Sequence, residues 1–253
     1  MDNQQGNLQE VMEKHLSSVA YSVGALLGDG NVKTYSYFSK AHNNFVIHHQ
    51  VAISNMDLIC IKRVCAEINS LFGTSYKIYE YRNPNRTMMF RLVLSNEIIS
   101  KFFQYFIGEK LSIVDEVFRA DRLTKINFLT GLFDTDGYIA ESNGYFRIGY
   151  AARQRTLVED VARLLQMLGV KVGQIYEQIS GHGTKMFVIK PNIRSFLDAG
   201  CSFFISRKFD KLLKYKETTR YQSPRRTFRD YNVTPSMKGE DIVQVELKDS
   251  TIS

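Results

Sequence analysis

Apolar residues recur at helical spacing in two corresponding stretches of the chain. In the stretch 54–73, which ends at Gly73, they fall at steps of three and four: Leu58, Ile61, Cys65, Ile68 and Phe72. The stretch 155–169 repeats these steps before Gly169, with Leu157, Val161, Leu164 and Leu168. Such spacing forms one face of an amphipathic helix, and glycine commonly follows a last helical turn. The pattern predicts two helices at equivalent points of a repeat.

The segments around these two helices also recur in the same order. A pair of strand-like segments with alternating polarity follows each helix, at 75–95 and at 171–190. Another apolar and aromatic helix follows each pair, at 96–106 and at 191–204. A helix and two strands also precede each amphipathic helix, so each half is predicted to contain helix, two strands, helix, two strands and helix.

This order indicates an internal duplication within 253 residues. We predict a mixed α/β (α+β) fold of two pseudo-symmetric αββαββα halves. The predicted boundaries are 1–115 for the N-terminal half, 116–235 for the C-terminal half and 236–253 for a C-terminal tail.

Each half begins with a short apolar helix that ends in Asp-Gly. The first copy is SVGALLGDG at 22–30 and the second is LTGLFDTDG at 129–137. Small residues four positions apart share one helix face: Gly24 with Gly28, and Gly131 with Thr135. Small residues at this spacing let two helix backbones approach closely. We therefore expect the two helices to pack side by side and their C-terminal carboxylates, Asp29 and Asp136, to converge.

The predicted convergence has a chemical consequence. Unpaired carbonyls and the negative end of the dipole collect at the C-terminal end of a helix. Two carboxylates in that environment repel each other, and a hard divalent cation relieves the repulsion. A single Asp-Gly would be read as a helix stop and turn. Two matched copies instead predict a metal site at Asp29 and Asp136.

The charge of the chain points to a polyanionic partner. Lys and Arg number 33 against 26 Asp and Glu, which gives a net charge of +7. Basic residues and tyrosines interleave in the strand-like stretches 31–40, 76–91 and 145–155. Alternation places Lys33, Tyr35 and Tyr37 on one strand face. Such a face suits nucleic acid, and the alternative is a solvated face of a sheet.

Other features of the sequence argue against a membrane-spanning protein, a secreted protein and a cysteine-bound metal site. The apolar runs are too short to span a membrane, and the polar N-terminus does not resemble a secretory signal. The cysteines, Cys60, Cys65 and Cys201, show no metal-ligand spacing. We expect buried thiols in an intracellular, reducing compartment.

The two Asp-Gly motifs resemble the paired signatures of the LAGLIDADG homing endonucleases, in the single-chain form that carries both. The second copy matches closely, at Leu129, Gly131, Leu132, Asp134, Asp136 and Gly137. The first departs at Ser22 and Val23, and has Leu27 where the family pattern has an acidic residue. The duplicated pattern covers roughly residues 15 to 216.

The resemblance implies a LAGLIDADG fold whose eight strands form a saddle along the major groove of double-stranded DNA. Asp29 and Asp136 would bind Mg²⁺, for which Mn²⁺ would substitute, with help from the carbonyls of Gly28 and Thr135. The enzyme would act as a monomer. It would hydrolyse both DNA strands across the minor groove of a long site and leave 3′ overhangs.

The resemblance also implies polar and basic helpers in each half. A polar residue that positions water would be Asn55 in the first half and Gln154 in the second. A basic residue near the last helix would be Lys110 in the first half and Lys208 in the second, where Arg207 competes with Lys208.

The halves differ in the length of their first strand pair. Asp29 and Asn55 are 26 positions apart, whereas Asp136 and Gln154 are 18 apart, so we expect a longer first hairpin and an asymmetric DNA site. The expected DNA contacts are Lys33, Tyr35, Tyr37, Arg91, Arg147 and Arg153 on the strands, and Arg225 and Arg226 in the basic segment 206–230.

Two other functions fit the same fold. One is a maturase that binds intron RNA, and the other is a catalytically inactive DNA-binding regulator. The regulator would be favoured by the loss of a motif aspartate, and both are present.

Overall fold

Eight helices and eight strands form the part of the chain that the computed structural model describes, residues 2–40, 43–82, 87–142, 144–181 and 183–218. The chain divides into two compact units, Met1–Thr135 and Asp136–Ser253. The first unit contains α1 (Asp2–Asp29), β1 (Gly30–Ser39), β2 (Asn44–Asn55), α2 (Leu58–Phe72), β3 (Ile78–Arg82), β4 (Met88–Leu94), α3 (Glu97–Ile107), α4 (Asp115–Arg119) and α5 (Arg122–Thr135). The second contains β5 (Gly137–Ser142), β6 (Tyr145–Ala152), α6 (Arg155–Met167), β7 (Tyr176–Ile179), β8 (Lys185–Ile189), α7 (Ile193–Asp198) and α8 (Ser206–Glu217).

The predicted mixed fold of two αββαββα repeats is confirmed by this order of elements. Because α5 packs against α1, it belongs to the first compact unit, although the repeat assigns it to the second half. The boundaries defined by the repeat, 1–115, 116–235 and 236–253, stay predictions.

The two motif helices, α1 and α5, form the centre of the first unit. Every residue of 19–27 in α1 and of 128–134 in α5 is buried. Helices that are apolar on all sides are stable when surrounded by other elements, which explains the absence of a polar face here. The helix α1 is kinked at Val19, whose φ of −132° and ψ of 18° interrupt the helical backbone.

Two glycines allow these helices to approach each other closely. A Cβ atom on Gly24 would lie 2.0 Å from the carbonyl oxygen of Phe128. A Cβ atom on Gly131 would lie 2.1 Å from the carbonyl oxygen of Tyr21. The predicted close packing of the motif helices through small residues is therefore present at Gly24 and Gly131.

Each unit has a four-stranded antiparallel sheet with one buried face. The strand order is β1-β2-β4-β3 in the first unit and β5-β6-β8-β7 in the second. In the first sheet, Val51 and Ile53 of β2 and Leu92 and Leu94 of β4 lie on the buried face. In the second sheet the buried face carries Ile139, Ile148, Tyr150 and Ile189. We call the opposite face of each sheet its outer face.

The first hairpin is longer than its counterpart, as expected from the sequence. β1 and β2 have 10 and 12 residues, whereas β5 and β6 have 6 and 8. The helix expected at 191–204 is shorter than predicted, because α7 ends at Asp198 and Gly200 takes a φ of 80°. That left-handed conformation is not helical, so the chain leaves the helix there.

The cysteines and the helix lengths agree with the expectations from the sequence within the described residues. Cys60, Cys65 and Cys201 are buried and free of disulfide bonds. Among the helices of the described ranges, none has the length and apolarity needed to cross a membrane.

Candidate functional site

The carboxylate of Asp29 lies at the exposed C-terminal end of the buried helix α1. Asn55, the buried last residue of β2, donates a 2.7 Å hydrogen bond from Nδ2 to Oδ2 of Asp29. The Oδ1 atom of Asn55 accepts a 2.8 Å hydrogen bond from the backbone N–H of Asp57. Because both ends of the amide are held, Asn55 fixes one oxygen of the Asp29 carboxylate.

Lys110 contacts the same end of α1. Its Nζ donates a 2.5 Å hydrogen bond to the carbonyl oxygen of Gly28. Lys110 has a φ of 58°, a left-handed conformation that is uncommon for a residue with a side chain. The turn after α3 thus places an ammonium group against one of the carbonyls predicted to bind metal. A carbonyl oxygen has two lone pairs, so this contact leaves one acceptor position on Gly28.

In the second unit, Lys208 contacts the carbonyl that follows the motif aspartate, whereas Lys110 contacts the carbonyl that precedes it. Lys208 lies in the first turn of α8 with 6% of its surface exposed, and its Nζ donates a 2.6 Å hydrogen bond to the carbonyl oxygen of Gly137. That carbonyl directly follows Asp136 in the chain. Arg207, the competing candidate, is exposed. The geometry therefore favours Lys208 over Arg207 as the basic group beside this motif.

Gln154 and Thr135 have different surroundings from the residues predicted to match them in the first half, Asn55 and Gly28. Gln154 is exposed at the N-cap of α6 and its side chain makes no capping bond. The structure therefore does not give Gln154 the fixed position that Asn55 has. The hydroxyl of Thr135 donates to the carbonyl oxygens of Gly131 and Leu132, at 3.1 and 3.0 Å. Such bonding within the helix occupies the side chain of Thr135.

Asp136 affects a buried tyrosine of its own unit. Tyr150 is fully buried, and burial raises its pKa well above the ordinary value, with the negative charge of Asp136 adding to the increase. Tyr150 therefore stays a neutral phenol beside this carboxylate. The half-buried Asp136 thus has a neutral polar neighbour and a lysine-bound carbonyl next to it in the chain.

The donor set in each unit fits a hard divalent cation that also takes ligands from its substrate. Among the described residues there is no cluster of three or more His, Cys, Asp or Glu side chains that could hold a metal alone. Mg²⁺ is usually bound by one or two carboxylates, with waters and substrate phosphates completing its shell. A single carboxylate beside helix-end carbonyls, as at Asp29, provides that kind of partial site.

The outer face of the first sheet carries the predicted contacts Lys33, Tyr35, Tyr37 and Arg91. Lys33 pairs with Gln50 across β1 and β2, one residue away from the buried Val51. Strand parity therefore places Lys33, Tyr35 and Tyr37 together on the outer face, as predicted. Arg91 pairs with Ser54 of β2 and Tyr79 of β3, and all three lie on this same face.

The outer face of the second sheet carries Arg147. Arg147 pairs with Ala140 and precedes the buried Ile148, so it points away from the core. Arg153 is exposed just after β6. The predicted contacts Arg225 and Arg226 lie outside the described residues.

Five polar side chains at this second outer face were not identified from the sequence. Together with Arg147 and apolar neighbours they line a cavity of about 520 Å³: Tyr138, Tyr176, Gln178, Ser180 and Lys190. Alternation of side chains along each strand would have assigned these residues to one face of the sheet, but only if the register of β7 with β8 had been known. That register joins Tyr176 to Val188 and Gln178 to Met186.

Comparison with known proteins agrees with the resemblance seen in the motifs. Residues 124–199 match the family model of the LAGLIDADG-like domain. A structure of I-DmoI with DNA and Mn is 20% identical and covers 73% of this chain and 94% of its own, with a TM-score of 0.54. A variant of I-DmoI with its target DNA and Mg is 20% identical and covers 74% and 97%, with a TM-score of 0.55. A variant of I-SmaMI is 12% identical and covers 77% and 89%, with a TM-score of 0.51.

These matches confirm the resemblance to the LAGLIDADG homing endonucleases and show that the chain has their fold. They do not assign roles to individual residues, so the site residues stay predictions.

Proposed function

We propose that this chain, which carries a LAGLIDADG-like domain and has the LAGLIDADG homing endonuclease fold, is a site-specific endonuclease that hydrolyses both strands of a long, asymmetric DNA site. The observation that carries the proposal is the Asp29 carboxylate, exposed at the end of a buried helix and held by Asn55. Asp136 provides the equivalent carboxylate of the second motif. Cleavage would cross the minor groove and leave 3′ overhangs.

Phosphodiester hydrolysis needs an activated water and stabilisation of charge on the phosphate and the leaving oxygen. Divalent metal held at Asp29 in the first unit, and likewise at Asp136 in the second, would supply both when bound. Mg²⁺ is our proposed physiological ion, with Mn²⁺ as a substitute. Structures of the related I-DmoI contain Mn, Ca or Mg.

The residues of the chain then have distinct tasks. Asn55 orients the Asp29 carboxylate through its hydrogen bond to Oδ2. Lys110 and Lys208 place ammonium groups beside the two motifs, where they would attract the scissile phosphates and oppose the negative charge of the transition state. Gln154 is exposed, and contact with DNA would fix the position of its side chain.

The proposed partner is double-stranded DNA. The net charge of +7 favours a polyanion, and the I-DmoI structures contain DNA. Lys33, Tyr35, Tyr37, Arg91, Arg147 and Arg153 would contact bases or phosphates from the outer faces. Because both motifs lie in one chain, we propose that the protein acts as a monomer, in a compartment with access to DNA.

The experiment is a cleavage selection on a long randomised duplex library, with Mg²⁺ and in parallel with EDTA. We expect Mg²⁺-dependent enrichment of one asymmetric sequence with staggered ends. Asp29→Asn and Asp136→Asn should each abolish double-strand cleavage of that sequence and retain binding. Asp210→Asn, which neutralises an exposed carboxylate on α8, is the matched control and should cleave normally.

Other results would contradict the proposal. Selective DNA binding by the wild-type protein without cleavage in any divalent metal would favour the DNA-binding regulator. Preferential binding of structured intron RNA without DNA cleavage would favour the maturase. Cleavage that survives both aspartate substitutions would place the chemistry elsewhere in the chain.

A further inference from the structure

The cavity of about 520 Å³ on the outer face of the second sheet is lined by both apolar and polar side chains. The apolar ones include Ala140 and Ala151, whose side chains are small. Tyr138 lies across Gly149, where a Cβ atom would be 2.4 Å from the tyrosine hydroxyl oxygen. The glycine therefore lets the ring of Tyr138 lie against the sheet and form one wall of the concavity.

Two cations line this concavity. The Nζ of Lys190 lies 4.6 Å from the ring centroid of Tyr176, within the range of a cation–π interaction. Burial raises the pKa of Tyr138 and the nearby Tyr176 adds to this, while Lys190 and Arg147 oppose it. Lys190 and Arg147 both belong to the lining of the cavity, together with Tyr138.

The carboxylates of the described strands in this sheet lie on its other face. Glu141 pairs with Phe146 and Glu177 pairs with Phe187, which places both on the side of the buried Ile148 and Ile189. Glu177 is bound there by Lys185 at 2.8 Å. The lining of the concavity consequently contains two cations and no carboxylate. It is suited to a ligand that presents hydrogen-bond acceptors beside an apolar surface.

The edge of guanine in the major groove has this chemistry. Guanine presents two acceptors there, N7 and O6, and Lys or Arg is the usual partner. We propose that the concavity reads a G·C pair in the DNA half-site under the second sheet, with Lys190 bound to guanine and Tyr176 as its positioning residue. This inference rests on the proposed function and deepens it, because it assigns a base preference to one half of the target. Arg147, which also lines the concavity, would contact the neighbouring base pair.

A phosphate contact is the competing role for Lys190, and the two roles differ in a measurable way. A base contact changes the preference at one position, whereas a phosphate contact weakens binding to all sequences. A lost phosphate contact also reduces the salt slope of log K by about 0.9. The apolar side chains in the lining, Ala140, Ala151 and Val188, favour the base, because a phosphate gains nothing from apolar contact.

The test uses full-length wild-type protein and Lys190→Met in a binding selection on the randomised duplex library, with Ca²⁺ present. We expect the variant to lose the preference for guanine at one position, with a tenfold to hundredfold weaker affinity for the wild-type target and an unchanged salt slope. Lys185→Met is the matched control, because Lys185 begins β8 on the other face of the sheet, whereas Lys190 directly follows the end of β8. It should keep the wild-type sequence profile.

A second pair of variants tests Tyr176. Tyr176→Leu removes the ring and should relax the same position as Lys190→Met, whereas Tyr176→Phe keeps the ring and should retain the guanine preference. Thermal unfolding of each variant shows whether the sheet is intact.

Three results would overturn the inference. An unchanged profile in Lys190→Met overturns it and leaves the proposed function standing. Uniform weakening with a smaller salt slope assigns Lys190 to a phosphate instead. Failure of the wild-type protein to select any DNA sequence would overturn both the inference and the proposed function.

Discussion

The Tyr21 hydroxyl of α1 donates a 2.8 Å hydrogen bond to Oδ2 of Asp134 on α5, and both residues are fully buried. In the repeat, the positions equivalent to Tyr21 and Asp134 are Phe128 and Leu27, which are apolar. The packing of α1 against α5 is therefore not symmetric. It has a polar contact between Tyr21 and Asp134, and apolar residues at the two positions that the repeat relates to them. The guanidinium of Arg63 lies 4.0 Å from the centroid of the Tyr21 ring on the polar side.

We expect this buried polar contact to favour the pairing of α1 with α5 over the pairing of either helix with a copy of itself. Burial raises the pKa of Tyr21 well above its ordinary value, and the charge of Asp134 adds to this. The phenol therefore keeps its proton at neutral pH and can donate it to Asp134. Packing of two identical helices would place each polar group opposite an apolar side chain, which costs free energy because a buried polar group loses its partner.

Tyr21→Phe should lower the free energy of unfolding by about 1–3 kcal/mol, because Asp134 loses a buried hydrogen bond. Asp134→Leu should have a similar effect by leaving the Tyr21 hydroxyl without this acceptor. The double variant should be less destabilised than the sum of the two, since neither polar group remains. Denaturant unfolding of the four proteins measures the coupling, and strict additivity would show that the hydrogen bond contributes nothing.

Gly24→Ala and Gly131→Ala should both destabilise the first unit, because a Cβ atom at either position would meet a backbone carbonyl oxygen at 2.0 or 2.1 Å. Backbone cannot move aside as a flexible side chain does, so we expect losses of roughly 1–3 kcal/mol or more. Gly173→Ala is the control, since its Cβ would lie 3.6 Å from its nearest neighbour, Lys190 O, in ordinary contact. Thermal unfolding compares the three, and a neutral Gly24→Ala would contradict the close approach.

Asn55→Leu should slow cleavage by about 10–100-fold, as is typical when a partner that orients a metal-ligating group is removed. The leucine keeps the approximate size of the side chain but loses the 2.7 Å hydrogen bond to Asp29. Gln154→Leu should have a smaller effect, because the Gln154 side chain is exposed and makes no capping bond. Single-turnover cleavage of the selected target, followed on each strand, measures both, and equal effects would contradict this difference.

The start of the motif helix α5 depends on Asp121. Its Oδ1 accepts a 2.8 Å hydrogen bond from the backbone N–H of Thr124, and its Oδ2 accepts one of 2.8 Å from the Thr124 hydroxyl. The backbone bond from Thr124 is the main reason that the pKa of Asp121 is lowered. A carboxyl whose pKa is lower in the folded protein stabilises the fold above its unfolded pKa of about 3.9 and loses that effect as the pH falls through its folded pKa.

Asp121→Ala should therefore lower the free energy of unfolding by about 0.5–2 kcal/mol at pH 7, through loss of the helix cap. The difference from wild type should shrink as the pH falls below about 4, where the wild-type carboxyl becomes protonated. Asp121→Asn keeps a capping oxygen and should show little of this pH dependence. Denaturant unfolding between pH 3 and pH 7 measures the effect, and a pH-independent difference would exclude the carboxylate as its source.

The local pattern of the sequence determined the order of elements and the faces of several strands. The steps of apolar residues in 54–73 and 155–169 predicted α2 and α6, because helical periodicity is contained within each stretch. Alternation placed Lys33, Tyr35 and Tyr37 on one face for the same reason. The motif helices were also predictable, since a helix that is apolar on all sides has to be buried.

Only the tertiary structure decided which side chains meet across distant parts of the chain. Asn55 contacts Asp29 while its predicted counterpart Gln154 stays exposed, although Asn55 ends the second strand of its half and Gln154 closely follows the second strand of the other half. Lys190 lies over Tyr176 because of the register of β7 with β8, which no local pattern records. A hydrogen bond or a cation–π contact needs atoms placed to within a few tenths of an ångström, and that precision comes from the packing of whole elements against each other. Periodicity within one element fixes which face a residue occupies and leaves its partner to the fold.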